Sequence, residues 1–181
     1  MKKVILGFLA LSIILSACST FNGAKAIKTP FRGNAYESNR RFFRSVASGE
    51  SVNLETAKSK AILTANQRLA ASVQTEIKSV TENYQNERNM DGNLGDFGER
   101  FQQLTREVMS TKIMGASLHG EKVYQQKDKT YQVWVAMELR KRELYKRIKQ
   151  QAQTDKKLSD SQRKAVAEMI DKQIEELDDK D

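Results

Sequence analysis

The chain is poor in the residues on which much soluble catalytic chemistry is built. Its 181 residues include one cysteine (Cys18), one histidine (His119), one tryptophan (Trp134) and one proline (Pro30). One cysteine excludes a disulfide within the chain and a cysteine-based zinc site. One histidine would leave any metal held by carboxylates around a single imidazole, and no HExxH-like spacing is present. A structural or exposed histidine is therefore the reading His119 takes. No GxSxG elbow, Walker loop or GxGxxG turn occurs, so no catalytic, metal or cofactor residues are assigned and no small-molecule substrate is expected. Beyond Pro30 there is no proline to break a helix. The longest apolar run, Val4 to Leu15, is about a dozen residues, short of the roughly 20 that a membrane-spanning helix needs.

Charge is what the chain has in excess. Lys and Arg number 31 against 23 Asp and Glu, a formal net charge of +8. A basic balance points to nucleic acid or to anionic lipid, and the compartment decides between them. The N-terminus speaks to the compartment. Lys2 and Lys3 open a charged region, the apolar run follows, and small residues Ser16 and Ala17 precede Cys18. That order describes a secretory signal peptide. Leu15-Ser16-Ala17-Cys18 resembles the bacterial lipobox. The resemblance implies removal of residues 1–17 and fatty acylation (palmitate-type) of Cys18, where two or more chains anchor stably and one only marginally. Ser19 stands where Asp would signal inner-membrane retention in enterobacterial-type sorting. The expected address is the outer membrane, facing the periplasm, with nucleic acid excluded as a partner.

Residues 18–39 are rich in small and polar side chains and read as a tether. The run RRFFRSVAS, residues 40–48, reads as a first strand ended by Gly49. From Asn53, a capping residue, to about Val80 the apolar positions Ala57, Ala61, Ala65, Leu69, Val73 and Ile77 recur every four residues, the ridge of a long helix. Its early alanines would let a sheet approach closely. Thr81 to Leu94 is polar and reads mainly as a loop. Asp96 and Glu99 resemble a capping box opening a second helix with Phe97, Phe101, Leu104 and Val108 on one stripe. Lys112–Gln125 and Thr130–Leu139 read as a hairpin with a bulge at Gly120. In its second strand Val133, Val135 and Met137 alternate with Trp134. Trp134 either fills a second core layer under a helix, the commoner use, or is a contact residue. The period then changes to 3.6, with Leu144, Tyr145, Ile148 and Ala152 on one stripe, and Ser159 caps a last helix carrying Val166, Met169, Ile170, Ile174 and Leu177.

RFFRSVASGES leading into ETAKSKAILTANQRLAASV, then FGERFQQLTREV, then SLHGEKVYQQKDK and TYQVWVAMEL, stand in this order behind a lipobox. The pattern resembles the twenty-kilodalton outer-membrane lipoprotein family called Lpp-twenty, and the N-terminal domain of the flagellar assembly protein T. The resemblance covers about residues 40–139 and implies a small α+β domain, an outer-membrane location and no enzymatic activity. It supplies no binding residues.

The expected fold is therefore α+β: a long alanine-ridged helix on a small antiparallel sheet over residues 40–139, with a helical extension over 140–181 ending in an acidic tail. The expected function is a non-enzymatic, membrane-tethered interaction protein, the alternative being an assembly subunit of a flagellar or secretion-type machine. Its partner would be a protein, a second copy, or the membrane itself. The basic stretch Arg140, Lys141, Arg142, Lys146, Arg147 and Lys149, together with Trp134, is the candidate contact surface for a protein partner or anionic lipid. A solvated helix face is the bland alternative. Opposite charges would let the two C-terminal helices fold back on each other or pair between subunits.

Overall fold

The structure is a computed structural model that describes residues 28–87, 97–110 and 115–178. Cys18 with its leader, the Asp96 cap, the stretch 88–96, residues 111–114 and the final residues 179–181 lie outside the described residues. The fold is α+β: a long helix, a three-stranded antiparallel sheet and further helices toward the C-terminus. The elements in order are β1 (Phe42–Ser51), α1 (Leu54–Glu87), α2 (Phe97–Ser110), β2 (Ser117–Gln125), β3 (Tyr131–Arg140), α3 (Lys141–Thr154) and α4 (Asp160–Asp178). The sheet order is β1-β3-β2, with both pairings antiparallel. None of the described helices is long and apolar enough to cross a membrane.

The four-residue spacing seen in the sequence is the seam between α1 and the sheet. Ala57, Ala61, Ala65, Leu69, Val73 and Ile77 are all buried. They meet alternate residues of β1, including Phe43, Ser45 and Ala47, and of β3, including Val133, Val135, Met137 and Leu139. Asn53 Oδ1 accepts the Thr56 N–H at 3.0 Å and caps the helix. The approach is closest at Gly49, where an added Cβ would lie 2.3 Å from the Ala57 carbonyl oxygen and 2.6 Å from the Ala61 nitrogen. Gly49 therefore does not end the strand. It lies within β1, opposite Val133, because only a residue without a side chain fits against the helix backbone.

Helix α1 runs on to Glu87, past the loop expected from Thr81 onward. The polar composition of 81–87 hides two more positions on the packed face. Thr81 and Tyr84 are buried, the Tyr84 ring lies 6.5 Å from that of Phe97, and its hydroxyl donates to Glu168 at 2.9 Å. In α2, Phe97, Phe101 and Leu104 are buried as the stripe requires, but Met109 rather than Val108 continues it inward.

In α3 the buried residues are Leu144, Tyr145, Ile148 and Ala152. Ser159 Oγ accepts the Gln162 N–H at 3.2 Å, and Gln162 Oε1 accepts the Ser159 N–H at 3.0 Å, a reciprocal cap for α4. The two helices fold back on each other within the chain. Arg142 makes two 3.0 Å bonds to Asp178, and Lys149 reaches Asp171 at 2.6 Å.

The hairpin carries its bulge between Leu118 and Gly120. Its turn closes with the Gln126 N–H on the Thr130 carbonyl at 2.8 Å and places Lys129 at φ +68°. The Thr130 N–H donates to Asp128 Oδ1 at 3.0 Å, which holds that carboxyl below its ordinary range. The α-helices pack on the odd-numbered residues of β1 and β3, while the even-numbered face, where Ala136 is buried, is covered in part by the segment that carries Phe31 and the 3-10 helix Asn34–Tyr36.

The last part of the segment read as a tether is packed against the domain. The ring of Phe31 (φ +59°) lies tilted against that of Tyr36 with centroids 5.0 Å apart, and Tyr36 meets His119 edge-on at 5.5 Å. A Cβ on Gly120 would lie 2.6 Å from the Phe31 ring, so the ring takes up the space a side chain there would need.

Candidate functional site: an arginine corner where β1 begins and β3 ends

Phe42 and Arg140 are register partners at one end of the sheet. Asn39 shapes the entry into β1, its side-chain oxygen accepting the N–H groups of Arg41 and Phe42, each at 2.9 Å. The Lys141 N–H donates to the Arg41 carbonyl at 3.0 Å, which ties the start of α3 to the same end. The Phe42 ring then becomes a platform for cations. The guanidinium carbons of Arg44 and Arg140 lie 4.8 and 5.6 Å from its centroid.

Beside this platform is a cleft of about 270 Å³ lined by Arg41, Phe42, Arg140, Arg142, Leu177 and Asp178. Among the described residues that line it, three are arginines and one is a carboxylate, Asp178, which is engaged by Arg142. The cleft also lies at the N-terminus of α3, whose capping position is Arg140, a residue that makes no side-chain cap. Helix dipole and guanidiniums therefore favour negative charge at the same point. An oxyanion that can accept a guanidinium fork, such as phosphate or carboxylate, suits the chemistry of this arrangement.

The candidate basic stretch is divided by the fold. Arg140 and Arg142 line the cleft. Lys141 turns toward the protein, ion-paired with Glu76 of α1 and 4.5 Å from the Phe43 ring centroid. Lys149 is held by Asp171, and Lys146 makes a loose 3.8 Å pair with Glu143 one turn earlier. The Arg147 guanidinium lies beside Gly115, where a Cβ would meet it at 3.2 Å. Trp134 stands on the even-numbered sheet face, half-buried between its register partners Ser48 and Lys122, with no described α-helix above it.

His119, at the bulge, has one carboxylate nearby, Glu138 at 3.6 Å, and that carboxylate already accepts from Arg44 at 3.1 Å. No group of three His, Cys, Asp or Glu side chains suited to a metal occurs among the described residues.

Reading from the sequence missed Arg41 and Phe42 as part of the site, because both fell inside a run read as strand. The adjacent pairs Arg40-Arg41 and Phe42-Phe43 were the available signal. It missed Glu76 as well. Nothing local marks a mid-helix glutamate as the partner of Lys141 and Tyr145.

The fold and this corner together define a small α+β domain with an arginine-lined cleft. No family model, curated protein sequence or solved structure matches the chain.

Proposed function

We propose that the chain is a non-enzymatic, lipid-anchored protein of the bacterial outer membrane that works by binding. Acylated Cys18 holds it on the periplasmic side, and the arginine corner engages an anionic group, in the first place the phosphates of the membrane surface beside the anchor. The observation that carries this reading is the cleft in which Arg41, Arg140 and Arg142 gather around Phe42 at the N-terminus of α3. The lipobox supplies the address, and the resemblance of the chain's pattern to the Lpp-twenty family is in keeping with both.

Vesicle co-sedimentation of the full chain tests the contact. Arg140→Gln should weaken binding to vesicles containing anionic phospholipid about fivefold, the worth of one basic residue near such a surface at about 1 kcal/mol. Lys146→Gln, on an exposed face outside the cleft, should weaken it less, and raising the salt should abolish binding. Equal losses for both variants, or salt-independent binding, would remove the corner from the reading.

The alternative function, an assembly subunit of an envelope machine, draws support from half-buried Trp134 on the even-numbered sheet face and from the exposed edge of β2.

A further inference from the structure

The order β1-β3-β2 leaves two sheet edges, and the fold treats them differently. On β1 several of the groups that point away from β3 have partners. Ser38 Oγ accepts from the Arg44 N–H at 2.9 Å and donates to the Arg44 carbonyl at 3.2 Å. Arg68 donates to the Val46 carbonyl, and Lys60 to that of Glu50 at 3.1 Å. Side chains thus cover part of this edge, a standard guard against strand addition.

The same bonds settle which groups of β2 point outward. If the even residues of β1 turn away from β3, its odd residues bond to β3, and the antiparallel alternation turns 132, 134, 136 and 138 toward β2. Gly120, Lys122 and Tyr124 are their partners and make the ladder. The closing bond between Gln126 and Thr130 has the same parity. Glu121, Val123 and Gln125 therefore direct both N–H and C=O outward. Among the described residues no group bonds to them.

This edge is also open on its faces. Leu118 is 47% exposed, and Val123 and Tyr124 are each 45% exposed. Glu121 is held at 2.8 Å by Lys58, whose amine that hydrogen bond keeps protonated to higher pH than usual.

We infer that β2 is a self-pairing edge, on which a second copy of the chain lays its own β2 antiparallel about a twofold axis at Val123, joining the two sheets into one of six strands. The occupant follows from the register. Outward groups must oppose outward groups, so the axis falls on one residue between 121 and 124. An axis at Glu121 would oppose two carboxylates, and one at Lys122 would oppose two ammonium groups. An axis at Tyr124 would draw in turn residues beyond Gln126 and shorten the ladder. At Val123 the two valines meet on one face, Lys122 lies opposite the partner copy's tyrosine ring on the other, and Glu121 faces a neutral glutamine. Isologous pairing of this kind closes on itself and leaves as edges only the two β1 strands, which side chains partly cover.

Cysteine crosslinking of the full chain in cells tests the register. Val123→Cys should form a disulfide-linked dimer, since directly opposed residues of such a pair lie about 5.5 Å apart at Cα, within disulfide reach. Glu121→Cys should not, because its copies would sit four residue steps apart, about 13 Å. Leu63→Cys, exposed on the far side of α1, sets the background. The expected result is at least a tenfold excess of dimer for Val123→Cys over both others, in the natural and the Cys18→Ser backgrounds alike. Persistence in the second background separates this inference from the lipid anchor. Val123→Pro removes only an outward N–H and leaves the β2–β3 ladder intact, and Val123→Lys places like charges on the axis. Each should leave the thermal melt near that of the natural chain while reducing chemical dimer capture to background. No excess at Val123→Cys, an excess at Glu121→Cys instead, or capture of a different protein at position 123 would overturn it.

Discussion

Two positions show how much a single residue carries. Gly49 lies in β1 where any side chain would enter the backbone of α1, so Gly49→Ala must push the helix off the sheet. Overpacking of this kind costs about 3 kcal/mol, and a chemical-denaturation midpoint measured for that variant should fall accordingly. A glycine between a strand-like run and a helix cap reads as a terminator from sequence alone. Its real role depends on what lies across from it, and that is not a local property. Lys129 is the converse case. It holds φ +68° in the hairpin turn, a conformation glycine adopts freely and a lysine does not. Lys129→Gly should stabilise the chain by about 0.5–1 kcal/mol, visible as a thermal midpoint raised by a few degrees.

At the scale of elements, α1 is the hub, and Glu76 shows how it binds the C-terminal extension. Its carboxylate meets both the Lys141 ammonium and the Tyr145 hydroxyl at the start of α3. Burial, and then the neighbouring Glu76 charge, pushes the Tyr145 phenol far above its ordinary range. The folded state thus keeps a proton that the unfolded chain releases near pH 10. The stability from this pairing is fully present below pH 10 and declines as pH rises beyond it. Tyr145→Phe should flatten that decline in unfolding experiments run between about pH 9 and 11. Glu76→Ala, which leaves Lys141 without its partner, should cost about 2 kcal/mol at neutral pH. Periodicity revealed the existence of both elements and their packed faces. Tyr145 was placed on the buried stripe of α3 by its spacing from Leu144 and Ile148. The length of α1 was underestimated because residues 81–87 have polar side chains, and only the burial of Thr81 and Tyr84 against α2 and α4 shows why the helix persists.

For the whole molecule, the proposed anchor sets the geometry of action. Ten residue steps separate Cys18 from Lys28, a reach of at most about 35 Å. Packing of Phe31 and Tyr36 on the sheet takes the rest of the expected tether out of play. A domain held this near a surface meets its neighbours at high effective concentration, so a small contact is sufficient. Cys18→Ala should therefore move the protein from the membrane to the soluble fraction and abolish incorporation of an alkyne fatty acid; retention of either would remove the anchor. What the sequence determined by itself was the α+β class, the alanine ridge, the hairpin and the two C-terminal stripes. These are periodic arrangements of apolar side chains, and burial acts on them locally. Tertiary structure alone decided which charges line the cleft. The basic stretch after Leu139 is continuous in sequence, yet Lys141 and Lys149 are drawn onto Glu76 and Asp171. The cleft meanwhile recruits Arg41 from about 100 positions earlier. Charge pairing is set by proximity in space, and no periodicity along the chain records it.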